Sequence, residues 1–174
     1  MDLLRAPPHA LPVSIVIPII RTLSSAFAGI RGRGRVVALS AEGARDREAA
    51  AILEQVHNQA IRAPIKEAAE SLQRLLTGRV TAYVVGVKDV KTITRWATGE
   101  VTDIRVESEQ RLRTAYEIMT LLLRFDGPAT VRAWFIGSNP HLADDAPADA
   151  LHEGRLQDAM GAARSFVAYG ANYG

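Results

Sequence analysis

The stretch RVTAYVVGVKDVKTITRWATGE, residues 79–100, decides the fold that we expect for this chain. Gly86 separates two short segments of apolar periodicity, where a tight turn between helices needs a positive φ. Glycine adopts that conformation without a Cβ penalty. Four residues earlier, Ala82 is small enough to let two helices approach closely. The stretch therefore predicts two short helices packed around a tight turn, as in a helix-turn-helix.

The second of these helices is predicted to have one apolar and one cationic face. Asp89 can cap it, and a buried stripe follows at Val90, Ile93, Trp96 and Ala97. At 100° per residue, the opposite face carries Lys, Arg and Thr side chains, which suit the DNA major groove. The predicted DNA-binding residues are Arg79, Lys88, Lys91, Thr92, Thr94, Arg95 and Thr98. The alternative is a helical hairpin whose basic face is merely solvated.

The composition limits the class of protein. The chain has 174 residues, of which 48% are hydrophobic, enough for one sizeable domain or two small ones. The absence of cysteine excludes disulfides and thiolate chemistry, and it fits a reducing compartment. The four histidines do not show the spacing of metal ligands. We therefore expect neither a metal site nor a cofactor.

Charge is unevenly distributed along the chain. The net charge is only +2, but residues 1–35 carry +4, residues 78–98 carry +3 and residues 126–160 carry −4. This polarity suits a protein that binds DNA with one part and a different partner with another. An uneven distribution of this size also arises by chance, so it does not assign a function alone.

Residues 1–41 are expected to form an irregular or partly extended arm. Two β-branched runs, Val13–Ile20 and Arg35–Leu39, could pair as strands or simply dock. The RGRGR segment at 31–35 is interpreted as a linker or as a contact for phosphate. The apolar run at 11–20 contains two prolines and is too short to span a membrane. We expect no membrane partner and a cytoplasmic protein.

The rest of the chain is expected to be helical, so the predicted class is mainly α. A helix from residue 42 to about 62 precedes one over 64–76 that Gly78 ends. Further helices are expected over about 108–125, around Trp134 up to Gly137, after Pro147 and from about residue 155. The predicted domains are an arm over 1–41, a helical region with the helix-turn-helix over 42–106, and a C-terminal domain over 107–174.

The sequence AWFIGSNPHLADDAP at 133–147 carries a family resemblance. Together with YVVGVKDVKTITRWATGE, it resembles the Xre/MbcA/ParS antitoxins, which join an Xre-like helix-turn-helix bundle to a small helical toxin-binding domain. The similarity runs from about residue 66 to about residue 168. It implies a type II antitoxin that binds and neutralises a RES-domain, NAD-consuming toxin encoded beside it. It also implies repression of its own operon and assembly as a homodimer or a larger hetero-oligomer.

The same resemblance assigns residues to toxin binding or to the shape of that domain. The assigned positions are Trp134, Phe135, Gly137, Asn139, Pro140, Leu142, Pro147, Leu151 and Gly154. It also places the toxin contact within residues 155–173, including Arg155, Phe166, Tyr169 and Tyr173. A purely structural interpretation stays open. Gly137 would end a helix in a left-handed cap, Asn139 would form a turn, and the two aromatic residues would be core.

Other interpretations remain for the C-terminal half. Asp144, Asp145 and Asp149 either form an acidic patch for a basic toxin cleft or cap the helix that follows. The alternative function is a stand-alone repressor with a C-terminal domain for dimerisation or ligand sensing. We expect no enzyme, because no catalytic constellation is present. His141 and His152, near the acids, are the only candidates for such a role.

Overall fold

The computed structural model describes the backbone of residues 34–100 and 103–173. Side chains are described for residues 43, 44, 47–100 and 103–168. Residues 1–33, which include the predicted run Val13–Ile20 and the start of the RGRGR segment, lie outside this description. All regular elements in the described ranges are helices, which confirms the mainly α class.

Eight α-helices follow one another along the described chain, with one short 3₁₀ turn between α6 and α7. Their bounds are α1 Gly34–Arg62, α2 Ile65–Leu76, α3 Gly78–Val85, α4 Val90–Thr98, α5 Val106–Leu122, α6 Pro128–Ile136, the 3₁₀ turn Pro140–Leu142, α7 Pro147–His152 and α8 Leu156–Tyr173.

Helix α1 begins earlier than the sequence predicts. It starts at Gly34, so Arg35–Leu39 is helical, and the prediction of an extended run there is wrong. An alanine-rich segment follows these residues, and extending an existing helix adds one hydrogen bond for each residue fixed. The preference of valine for strands depends on context and is weaker than this continuation.

The C-terminus of α1 is attached to α5 by one arginine. The Arg113 Nη1 atom donates to the carbonyl oxygens of Ala60, Ile61 and Ala63 at 3.2, 3.1 and 3.1 Å. Its Nε atom donates to Glu109 on α5 at 2.8 Å. The last carbonyls of a helix have no partner within the helix. Arg113 therefore satisfies these carbonyls and fixes α1 against the body.

The junction between α2 and α3 differs from the expected glycine cap. The residue with positive φ there is Thr77, at φ +78° and ψ 155°, whereas Gly78 is the first residue of α3. A Cβ atom on Gly78 would lie 2.7 Å from the Cγ1 atom of Val90. Glycine is therefore required by the close approach of α3 to the start of α4, and the prediction that Gly78 caps α2 is wrong.

Helix α5 lies at the centre of the packing. It contacts α1, α2, α3, α7 and α8. The predicted domain boundary between residues 106 and 107 falls in the first turn of α5. Side chains of this one helix therefore pack against helices of both predicted domains. Apolar residues from all eight α-helices fill the core, and the largest include Val56, Leu72, Leu76, Val84, Ile93, Leu112, Ile118, Leu122, Phe135 and Leu151.

Crossing a bilayer requires a helix that is both long and apolar. No helix in the described ranges combines these two properties.

Candidate functional site

Helices α3 and α4 are joined by a turn of four residues. We call the two helices and their turn the α3–α4 hairpin (residues 78–99). Gly86 ends α3 with φ +75°, as predicted. The amide of Val87 donates to the carbonyl of Ala82 at 3.0 Å, which closes the turn. A Cβ atom on Gly86 would collide with the guanidinium of Arg111. Both the backbone conformation and the adjacent side chain therefore favour glycine here.

The start of α4 is fixed by a side-chain cap. Asp89 has an extended backbone, and its carboxylate accepts from the amide of Lys91 at 2.8 Å. This bond satisfies one of the amides that a helix leaves free at its N-terminus. The predicted cap is confirmed. At the other end, α4 stops at Gly99, which has φ +89°.

Helix α4 is held by one face and leaves the other open. Ile93 is fully buried and Trp96 is 5% exposed, in contact with α2 and α3. Val90 was predicted in the same stripe but is 38% exposed, because it stands in the first turn, where it meets Gly78. The buried pair fixes the rotation of α4 about its axis.

The predicted DNA-binding residues lie mostly at the surface. Arg79, Lys88, Lys91, Thr94, Arg95 and Thr98 are exposed, and Thr92 is half-buried. Lys91 has no ion pair among the described residues, and the Arg95 Nε atom lies 3.7 Å from a carboxylate oxygen of Glu100. Both partners of this pair are well exposed, which makes it weak. The two cations are therefore available to an anion outside the chain.

The threonines of α4 are less available as donors. The Thr94 hydroxyl donates to the Val90 carbonyl at 3.3 Å, and the Thr98 hydroxyl donates to the Arg95 carbonyl at 3.0 Å. A hydroxyl has one proton but two acceptor positions. In this conformation both threonines can accept a hydrogen bond from a partner, whereas donation would break a bond within the helix.

A polar cavity of about 390 Å³ opens beside the α3–α4 hairpin. It lies between the turn, α4 and the residues that lead into α5. Its walls are formed by Gly86, Val87, Lys88, Thr92, Trp96, Asp103, Arg105 and Ser108, and we call it the α5 N-terminal pocket. Of these residues, Lys88 and Thr92 are among the predicted DNA-binding residues, whereas the pocket itself was not predicted.

The motif of the C-terminal half lies largely inside the protein. Phe135 is fully buried and Trp134 is 9% exposed, with their ring centroids 5.3 Å apart in a T-shaped contact. Leu142 and Asn139 are also buried, at 3% and 8% exposure. The Asn139 side chain accepts from the amide of His141 at 3.0 Å. These four residues, which the resemblance assigns to toxin binding, shape the domain in this conformation.

Gly137 does not adopt the left-handed cap that the sequence suggests. Its φ of −86° and ψ of 156° are extended, and the prediction is wrong. A Cβ atom at this position would lie 3.0 Å from the carbonyl oxygen of Ala133. The chain leaves α6 in an extended turn toward Asn139, so the small residue is favoured by contact with the helix end.

None of the acidic residues near Pro147 caps α7, and two of them, Asp145 and Asp149, bind other side chains. The N-cap of α7 is Ala146, without a side-chain bond. Arg155 donates to Asp145 at 2.5 Å and to Glu153 at 2.8 Å. The bond to Glu153, followed by that to Asp145, raises the pKa of Arg155 above its ordinary value. Predicted toxin contact through Arg155 would therefore compete with these internal pairs.

A polar contact joins the α3–α4 hairpin to α7. The Tyr83 hydroxyl donates to Asp149 at 2.8 Å, and its ring stacks on His152 with centroids 4.2 Å apart. The His152 Nδ1 atom lies 2.7 Å from the backbone carbonyl oxygen of Tyr83. The bond to Asp149, then burial, raises the pKa of Tyr83. His152 thus has a structural contact with Tyr83, 69 residues away in the chain, for which the sequence offered no signal.

The remaining predicted toxin residues are distributed over the surface and α8. Pro140 is exposed, and Phe166 is half-buried with its ring 6.3 Å from that of Trp134. The side chains of Tyr169 and Tyr173 lie outside the described residues. In the part of the chain that the structure describes, no three His, Asp or Glu side chains converge in a way that could hold a metal ion.

An apolar groove, which was not predicted from the sequence, lies between α1, the end of α5 and α8. Its volume is about 440 Å³. Phe125, at its edge, is 47% exposed. Arg164 and Val167 bring α8 into its wall, so the groove adjoins the region where the resemblance places toxin contact. The full lining is Glu48, Ala49, Ile52, Leu53, Leu121, Phe125, Arg164, Val167 and Ala168.

The chain was compared with models of known protein families, with characterised proteins and with solved structures. None of the three comparisons finds a match.

Proposed function

We propose that this protein is an antitoxin that represses its own operon through the α3–α4 hairpin and binds a RES-type toxin through its C-terminal half. The DNA-binding part rests on one observation. Ile93 and Trp96 fix α4 in the core, while Lys91 and Arg95 on its other faces remain exposed. The major groove admits an α-helix, and Lys and Arg there contact phosphates or guanine edges.

The arrangement of cations around α4 supports the same proposal. Arg79 and Lys88 are also exposed, in the part of the hairpin that precedes α4, so the hairpin carries positive charge beyond this short helix. Contacts of this kind hold a protein on the DNA backbone, whereas base edges supply the specificity. With about three to five cations near phosphates, the log–log dependence of affinity on salt has a slope of roughly −3 to −5 per protomer.

The toxin-binding part rests on the family resemblance of residues 133–147 and 79–100. The geometry supports it at α8, where Arg164 and Val167 line the apolar groove. Apolar surface of this type favours association with another protein. The buried motif residues, Trp134 and Phe135 among them, would then support the binding surface from inside.

A stand-alone repressor is the second candidate function, and one observation favours it. Trp134, Phe135, Asn139 and Leu142 all take part in the internal packing of this chain. A domain built in this way can equally dimerise or bind a small ligand.

DNA binding is tested with the double variant Lys91→Gln/Arg95→Gln. We expect its affinity for a duplex from upstream of its gene to fall about a hundredfold near 0.1 M salt, with a slope smaller by about 2, because two phosphate or base contacts are lost. Arg124→Gln/Arg132→Gln is the matched control, since it removes two exposed cations far from the hairpin along the chain. Equal losses in both variants would mean that net charge, and not α4, governs binding.

Toxin binding is tested by co-expression with the product of the adjacent gene. An antitoxin should co-purify with that product and restore growth and cellular NAD. A stand-alone repressor would leave both unchanged, which would reject the antitoxin proposal and keep the second candidate.

A further inference from the structure

The α5 N-terminal pocket combines features that attract an anion. Helix α5 has 17 residues, and no side chain caps it. Its first described backbone bond runs from the amide of Glu109 to the carbonyl of Arg105, at 3.0 Å. The amides before Glu109 thus have no partner within the helix, and together with the helix dipole they favour negative charge.

A buried hydroxyl opens into the same pocket. Ser108 is only 6% exposed and lies in the pocket wall. Within the described part of the chain, its hydroxyl makes no hydrogen bond to another side chain or to a carbonyl. Among the described residues, the enclosed side-chain atom without a partner is Trp134 Nε1, so the Ser108 oxygen is not sealed inside the protein. Its hydroxyl is therefore accessible from the pocket and can donate to an anion there.

Two cations complete the walls. Lys88 and Arg105 line the pocket, and neither has a carboxylate within ion-pair distance among the described residues. The guanidinium of Arg111 lies against Gly86, which forms another part of the wall. The pocket is therefore surrounded by positive charge from the hairpin and from α5.

Carboxylates near the pocket disfavour the binding of an anion. Asp103 is part of the wall, and its charge opposes an anion. The first turn of α5 carries Glu107 and Glu109, but neither lines the pocket, and Glu109 pairs with Arg113 at 2.8 Å. One carboxylate thus faces two cations, the free amides and the Ser108 hydroxyl.

The position of the pocket identifies the source of the anion. Thr92 and Trp96, one residue along from Lys91 and Arg95, form its α4 wall. A duplex that receives α4 in its major groove presents its phosphate backbone along the rim of that groove. We infer that the α5 N-terminal pocket binds one backbone phosphate of that duplex, through Lys88, Arg105, Ser108 and the amides of α5. This inference rests on the proposed DNA-binding function.

The test uses the full chain and the variant Arg105→Gln, which leaves α4 untouched. We expect duplex affinity to fall about tenfold near 0.1 M salt and the salt slope to shrink by about 1. The loss should be equal for the upstream duplex and for a scrambled one, because phosphate carries no sequence information. Arg124→Gln, beyond the opposite end of α5, is the control and should bind as the wild type does.

Two further variants should change the affinity for the duplex in opposite directions. Ser108→Ala should weaken binding severalfold, whereas Asp103→Asn should strengthen it, because it neutralises the one carboxylate among the described residues of the wall. Circular dichroism of each variant verifies that the helices are intact. If Asp103→Asn weakened binding as Arg105→Gln does, the pocket would not hold a phosphate.

The outcomes separate this inference from the proposed function. If Lys91→Gln/Arg95→Gln lost binding while Arg105→Gln and Ser108→Ala bound normally, the inference would be wrong and the function would stand. If the wild type bound no duplex, the proposed function would fail and the inference with it. Calorimetry with inorganic phosphate is a second arm. Micromolar binding of phosphate in the absence of DNA would assign the pocket to a small anion and overturn the DNA assignment.

Discussion

The α3–α4 hairpin and the α6–α7 corner (residues 134–147) contain similar residues but use them differently. Each has a tryptophan, a glycine after a helix and an Asx side chain that caps the next one. In the hairpin, Trp96 is buried and the adjacent cations are exposed. In the corner, Trp134, Phe135, Asn139 and Leu142 are themselves buried. A distinctive motif can thus arise from the packing of the core. The exposure of its side chains distinguishes such a motif from a binding surface.

The largest expected effect belongs to the corner. Phe135→Ala removes a fully buried aromatic ring that contacts Trp134, and it should lower the free energy of unfolding by about 3–5 kcal/mol. Urea unfolding followed by circular dichroism measures the change. Ile136→Ala is the matched control, because Ile136 is the next residue of α6 and is 55% exposed. It should change stability by at most about 0.5 kcal/mol.

The comparison between the corner and the hairpin would fail if Phe135→Ala left the free energy of unfolding unchanged. A stable Phe135→Ala protein that failed to bind its partner would show that the ring acts at an interface. The assignment of this residue to internal packing would then be incorrect.

Local chemistry explains which features could be predicted from the sequence. Gly86 and Asp89 act within three or four residues of chain, so their turn and cap follow from residue type. Thr77 and Gly137 could not be predicted in this way. Thr77 has φ +78° beside the close approach of Gly78 to Val90, and Gly137 is extended where the chain leaves α6 toward Asn139. Both conformations depend on how neighbouring helices are placed.

Contacts between distant segments could not be predicted at all. The α5 N-terminal pocket combines residues 86–96 with residues 103–108, and the apolar groove combines α1, α5 and α8. Arg113 joins the end of α1 across about 50 residues. Periodicity gives the buried face of each helix, but it does not give the neighbour against which that face packs. The candidate site was therefore predicted in its hairpin and missed in its surroundings.

An effect of intermediate size on the free energy of unfolding should distinguish Gly86 from Gly137. Gly86→Ala places a side chain at φ +75°, which costs about 1–2 kcal/mol. Displacement of the Arg111 guanidinium adds little, because that side chain is flexible. Gly137→Ala keeps an allowed extended backbone and restricts the unfolded chain, which offsets its tight contact with the Ala133 carbonyl. We expect a net change within about 0.5 kcal/mol by urea unfolding. Equal losses would contradict the difference in φ.

The smallest expected effect tests the contact that joins the α3–α4 hairpin to α7. Tyr83→Phe keeps a ring to stack on His152 but removes the donor to Asp149, and Tyr83 is 44% exposed. The loss in unfolding free energy should therefore stay below about 1 kcal/mol near pH 7. Because the bond to Asp149 raises the pKa of Tyr83 in the folded protein, this stabilisation is present below the ordinary tyrosine pKa of about 10.

The same contribution is lost as the pH rises through the folded pKa of Tyr83, where the hydroxyl gives up its proton. Tyr116 also has a raised pKa, through burial and then its bond to Glu67, but it is present in both proteins and cancels in the difference. Urea unfolding of wild type and Tyr83→Phe at several pH values should thus converge in alkaline solution. A difference that persisted there would mean that the hydroxyl bond does not connect the hairpin to α7, because that bond requires the phenolic proton.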